Sequence, residues 1–189
     1  MYQPASTVVH FEGISHGKDA KKGVKSHQVI NQEKFLQKWN KVLETEHLSN
    51  GDDIFVARDR TANKKTILII DDFVPFFDKD AGSRTMYQYL VLFNKIGLNV
   101  KFYVDNASPF QPHTDALLQS GIEVLYGPWY AENFEQWLKK NGRYIDYTYI
   151  QKPNNGDKYM DLIKKYTDSK LICNADDFQL DQVGKTVQH

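Results

Sequence analysis

The chain has 189 residues, with 24 basic and 24 acidic side chains and a 41% hydrophobic content, a balance that excludes general disorder and leaves a nucleic-acid partner no electrostatic footprint. Its longest apolar runs, Ile67 to Ile70 and Tyr89 to Phe93, fall far short of the roughly 18 residues of a membrane-spanning helix, and the N-terminus lacks the order of a signal peptide, so neither a transmembrane segment nor export is expected. One cysteine, Cys173, makes neither an internal disulfide nor a cysteine-rich zinc site, so the expected compartment is the reducing cytoplasm and Cys173 itself reads as a small buried apolar residue.

Up to Lys65 the chain carries eleven Lys and Arg against eight Asp and Glu, and after it thirteen against sixteen, so a charge seam runs through a neutral total. The first part offers a short strand, Thr7 to Phe11, then a glycine- and lysine-rich stretch, then a helix. Phe35, Leu36, Trp39, Val42 and Leu43 recur at helical spacing there, with Asn31 placed as a cap. One strand and one helix enclose no core, so residues 1–65 read as the end of something larger.

From Thr66 the pattern becomes regular. Apolar, β-rich runs at Thr66 to Ile70, Leu98 to Val104, Ile122 to Tyr126, Tyr147 to Ile150 and Leu171 to Cys173 alternate with helical stretches at Ser83 to Ile96, Pro112 to Ser120, Ala131 to Lys140 and Asp157 to Tyr166. Gly97, Gly121 and Gly142 stand where the first three helices should stop. Five strands alternating with four helices predict an α/β fold, a Rossmann-like, doubly wound parallel five-stranded sheet over 66–189 preceded by a short strand-plus-helix segment.

Ligands of such sheets bind beyond the carboxyl ends of the strands. The loop after the first strand is long and runs from Asp71 to Arg84. Gly82 and Ser83 stand where the next helix begins, so its unpaired N–H groups are placed to face an anion such as a phosphate, with Arg84 adding charge. The plainer reading makes Ser83 a helix cap and Asp80 a turn former. Neither a three-glycine dinucleotide fingerprint nor a phosphate-binding Gly-Lys-Ser/Thr loop is present, which removes NAD and ATP as expected cofactors. Asp71-Asp72 at a strand end also suits the acidic pair of a receiver domain, but the third strand ends Leu125-Tyr126-Gly127 without the carboxylate that reading needs. His10, His16 and His27 form no His-x3-His pair and so no self-contained metal site. Trp129 and Trp137 read as core or rim packing, with a sugar-stacking face as the alternative.

Two strings carry a resemblance. Val8-Val9-His10-Phe11-Glu12-Gly13-Ile14-Ser15-His16-Gly17-Lys18-Asp19, followed by Lys34-Phe35-Leu36-Gln37-Lys38-Trp39, resembles the C-terminal end of a family 2 glycosyltransferase domain of bacterial polysaccharide synthesis. Asp80-Ala81-Gly82-Ser83-Arg84-Thr85-Met86, with Gly121-Ile122-Glu123-Val124-Leu125-Tyr126-Gly127, resembles the start of a GT-B glycosyltransferase module similar to family 4. The two module types occur in tandem in large bacterial proteins, and the resemblance runs from about Val8 to about Phe178.

The resemblance implies that residues 1–65 are the C-terminal remnant of a family 2 domain with its linker, and 66–189 the Rossmann-like N-terminal part of a GT-B domain. It implies a nucleotide-sugar donor and a glycan acceptor as substrates, with flanking glycosyltransferase domains as partners. Asp80, Gly82, Ser83 and Arg84 become candidate substrate-binding residues at the cleft. His10 becomes a candidate metal residue, since a divalent metal serves complete family 2 modules; no cofactor is expected within this chain. No Asp-x-Asp motif occurs in residues 1–65, and Asp176-Asp177 stand where the GT-B family often shows His-Asp. The chain is therefore expected to span a junction between two catalytic modules and to be inactive alone; the alternative is a noncatalytic α/β binding or interaction module.

Overall fold

The structure is a computed structural model that describes residues 26–48, 55 and 62–174. The expected strand at Thr7 to Phe11, with His10, and the Asp176-Asp177 pair lie outside the described residues. The chain divides into two compact units, Met1–Asn63 and Lys64–His189.

In the first unit, helix α1 spans Ser26–Glu46. It begins five residues before the expected cap, so Asn31 lies inside the helix rather than capping it, and His27 sits exposed on its first turn. No Gly or Pro interrupts the segment, which lets the helix run back past the apolar stripe. Val29, Ile30, Phe35, Leu36 and Trp39 are exposed along it.

The second unit alternates strand and helix throughout: β1 Thr66–Asp71, α2 Ala81–Lys95, β2 Asn99–Val104, α3 His113–Gln119, β3 Glu123–Leu125, α4 Pro128–Asn141, β4 Tyr147–Gln151, α5 Pro153–Tyr166 and β5 Lys170–Asn174. All strands pair in parallel, in the order β3-β2-β1-β4-β5. The fold is thus α/β with a Rossmann-like, doubly wound sheet. A receiver domain orders its strands 2-1-3-4-5, so the topology removes that reading of Asp71-Asp72.

Alternation along the strands builds two cores. Ile67, Ile69, Val100, Phe102 and Val104 face one side, where Met86 and Leu90 of α2 and Leu117 and Leu118 of α3 close over them. Tyr103, of opposite parity, stacks on Phe134 of α4 at 3.8 Å and meets Tyr159 of α5 at 5.6 Å on the other side. Leu90 is fully buried, and truncating such a residue to Ala costs about 2–5 kcal/mol. β1 and β4 are buried between both layers, whereas β5 is an edge strand among the described residues, and for that reason Cys173 is exposed, not buried as expected.

The glycine stops act in two ways. Gly97 at φ 93° and Gly121 at φ 86° occupy the left-handed region that ends a helix. Gly142 has an ordinary helical φ of −57°; it is required by crowding, since a Cβ there would collide with the Tyr166 carbonyl oxygen.

Candidate functional site

β1 leads outward through α2 to β2 and β3, and the chain then returns to β4 on the other flank of β1. The helices therefore leave β1 and β4 on opposite faces, and a crevice opens beyond their carboxyl ends. A cleft of about 370 Å³ lies there. Its strand-end groups are Asp71 of β1, Gln151 of β4 and Asn174 of β5. Gly82, Ser83, Thr85, Met86 and Tyr89 of α2 form one wall, and Phe73, Asp80 and Lys152 come from the loops.

The α2 wall begins with a local cap. Asp80, in extended backbone, accepts the Ser83 N–H on Oδ1 at 2.7 Å. That bond holds the Asp80 carboxyl below its ordinary pKa of 3.8. Asp80 rather than Ser83 is thus the cap, and the Ser83 N–H, placed by sequence to face an anion, donates to the chain's own carboxylate. Arg84 Nε donates to the Phe77 carbonyl at 3.3 Å, and Arg84 does not line the cleft, whereas Asp80, Gly82 and Ser83 do. The Thr85 hydroxyl donates to the Ala81 carbonyl at 3.0 Å.

The opposite rim is built from distant parts of the chain. Lys152, directly after β4, holds φ at 70°, a left-handed conformation costly for a residue with a side chain and characteristic of positions that structure over-determines. Its ammonium lies 2.8 Å from Asp72 Oδ2, 3.5 Å from Asp71 Oδ1 and 4.6 Å from the centre of the Phe73 ring. Asp72 Oδ1 also accepts the side-chain amides of Asn155 at 2.7 Å and Asn154 at 3.2 Å. Asn155 is buried and gives its second amide hydrogen to the Gln151 carbonyl at 2.8 Å. One carboxylate of the β1 loop thus gathers three residues that open α5.

The two neighbouring aspartates are driven in opposite directions. Burial raises the Asp71 pKa to about 6, partly offset by the Lys152 charge and by the Asp72 N–H on Oδ1. Partial burial also acts upward on Asp72, but the bonds from Lys152 and Asn155 outweigh it and hold that carboxyl below 3.8. Burial acts downward on Lys152, and the two carboxylates outweigh it and raise its pKa. At the ends of β4 and β5, Gln151 Oε1 accepts from the Tyr149 hydroxyl and the Asn174 amide, each at 3.1 Å.

Two further clusters flank this edge. Asp105, following β2, accepts from the Tyr159 hydroxyl and from Lys158; burial first, and this bond second, raise the Tyr159 pKa. His113, buried at the start of α3, places Nε2 2.5 Å from Asp78 Oδ1, with the rings of Phe76 and Phe77 packed edgewise on it. His113 thereby ties down the loop that carries Asp80. Trp137 is buried in the core, and Trp129 is exposed but not part of the cleft.

Sequence reasoning finds the β1 loop and the start of α2 but misses Lys152, Gln151, Asn155 and Asn174. The available signal is position: Gln151-Lys152 and Asn174 directly follow apolar strand runs, where a parallel sheet presents its ligand-facing groups. Among the described residues no group of three or more His, Cys, Asp or Glu is placed to hold a metal ion, and His10 lies outside them. No described helix is long and apolar enough to cross a membrane. Comparison with protein-family models, curated proteins and solved structures finds no match for this chain.

Proposed function

We propose that this chain serves glycosyl transfer from a nucleotide-activated sugar to a growing glycan or glycolipid, with the Lys64–His189 unit forming a sugar-binding wall of the reaction cleft. The observation that carries this reading is the lining of the cleft at the β1–β4 switch point. Carboxylate, ammonium, amide and hydroxyl groups converge there with the rings of Phe73 and Tyr89. Such a set matches a pyranose, whose hydroxyls both donate and accept hydrogen bonds while its C–H face packs on an aromatic ring. The Asp80-Ala81-Gly82-Ser83-Arg84-Thr85 string adds its resemblance to GT-B glycosyltransferases.

Saturation-transfer NMR with UDP-glucose, UDP-N-acetylglucosamine and GDP-mannose tests the reading. Sugar-ring protons are expected to receive saturation from the protein, and Tyr89→Ala should weaken the signal. If none of the three binds and no glycan product forms with any primer, the reading fails and the noncatalytic binding module takes its place.

A further inference from the structure

Both helices that begin at the cleft already have carboxylates at their N-termini. Asp80 takes the Ser83 N–H at the start of α2, and Asp72 takes the side chains of Lys152, Asn154 and Asn155 at the start of α5. Helix N-termini attract anions, but each of these two already has a carboxylate of the chain beside it, Asp80 on a backbone N–H of α2 and Asp72 on the side chains that open α5. The ammonium of Lys152 is shared between Asp71 and Asp72. A phosphate entering the cleft would therefore meet Asp71 and Asp80 against one cation that is already neutralised. A hydroxyl meets no such penalty, because it can donate to a carboxylate and accept from an ammonium or an amide.

We infer that Asp71 is the hydroxyl-binding carboxylate of the cleft, that Lys152 and Asp72 are its positioning residues, and that the cleft selects an uncharged sugar face while turning away phosphate. For the identity of the ligand this assignment rests on the glycosyl-transfer reading. Asp71 is buried yet lines the cleft, so its charge is exposed to a ligand but poorly hydrated without one. The charged and titratable groups around it are Lys152 at the start of α5, Asp72 and Asp80 in the β1 loop, Tyr89 on α2, and Asp105, whose backbone N–H donates to the Asp71 carbonyl. A hydroxyl donor favours the ionised carboxylate, so sugar affinity should rise about tenfold from pH 5 to pH 7.5 as Asp71 ionises near 6.

The test is amide chemical-shift titration of the 189-residue chain with the methyl glycosides of glucose, galactose and N-acetylglucosamine, and separately with inorganic phosphate and UDP. At least one glycoside is expected to move Ser83, Thr85 and Lys152, and neither phosphate nor UDP should do so at equal concentration. Asp71→Asn should lose about tenfold in glycoside affinity at pH 7.5 and abolish the pH dependence, and Lys152→Met should move its midpoint upward. Carboxyl-carbon NMR of the unmutated protein supplies a readout that needs no variant: bound glycoside should lower the Asp71 pKa. Unchanged affinity and pH profile in Asp71→Asn, an unmoved Asp71 pKa, or phosphate shifting these amides more than the glycosides overturns the assignment alone. Failure of every glycoside and every nucleotide sugar to bind overturns the assignment together with the reading beneath it.

Discussion

Helices α2 and α5 approach the same cleft from opposite faces of the sheet, and their first turns are made by different means. The α2 start is local: Asp80 caps a backbone N–H three residues on, from an extended conformation that any residue adopts at little cost. The α5 start is assembled across the fold. Lys152 holds a left-handed backbone, and Asp72, about 80 residues earlier, receives its ammonium and the amides of Asn154 and Asn155. A strained residue persists only where its surroundings insist on it, so the α5 rim is the more specialised of the two, and the α2 rim the more replaceable.

The largest effect should come from breaking the α5 rim. Asp72→Ala leaves a half-buried ammonium with Asp71 alone and takes the acceptor from one of the two amide hydrogens of the buried Asn155. We expect a loss of about 2–3 kcal/mol in urea unfolding at pH 7, below the cost of a fully buried pair because Asp72 and Lys152 keep some contact with water. The pH dependence has a definite sign. The Asp72 pKa is depressed in the fold, so its contribution is present above 3.8 and fades as pH falls through the lower folded value. The difference between variant and parent should therefore shrink in acid.

Asp71 should behave oppositely. Its folded pKa of about 6 exceeds the ordinary 3.8, so its stabilising contribution is complete below 3.8 and is lost as pH rises through 6. Asp71→Asn, which keeps an acceptor for the Asp72 N–H, should be more stable than the parent above pH 7 by about 3 kcal/mol and no more stable near pH 4. Thermal melts across that range decide it. A buried carboxylate that lowers stability at neutral pH is expected where ligand binding, not folding, has set the residue.

The contrast between a local rim and an assembled one also separates the features that are legible in the amino-acid sequence from those that are not. Strand and helix alternation, and Gly97 and Gly121 as stops, are local signals, and the order of elements follows from them. Asp71, Asp72, Asp80 and Ser83 are legible because a strand end and a helix start lie close together in the chain. Lys152 and Asn155 are not, because their partners are 80 and 83 residues away and nothing in a Gln-Lys-Pro-Asn-Asn string announces a left-handed lysine. Gly142 marks a helix end as its position suggests but for a different reason, since its role is a close approach to Tyr166 that no local pattern reveals. Asn31 misleads as a cap because a cap signal inside a longer run of helix formers has no force.

The smallest expected effect lies at the α2 rim and separates its two properties, capping and charge. Asp80 is exposed and the hydrogen bond it accepts is local, and serine is about as good a cap as aspartate, so Asp80→Ser should leave the melting temperature nearly unchanged. It does remove one of the carboxylates that line the cleft. If charge, and not cap geometry, keeps anions from the start of α2, inorganic phosphate should bind the variant roughly two- to fivefold more tightly than the parent in low salt, with shifts centred on Gly82 and Ser83. Because the charge is exposed, the gain should vanish in about 0.5 M salt, where screening acts over only a few ångströms. Asp80→Ala controls for the cap: it removes the same charge but also the acceptor, so it should lower the melting temperature by about 2–4 °C. Equal melting temperatures for the Ser and Ala variants would show that the cap contributes nothing. A phosphate affinity unmoved by either substitution would place the barrier to anions at Asp71, on the strand that both rims share.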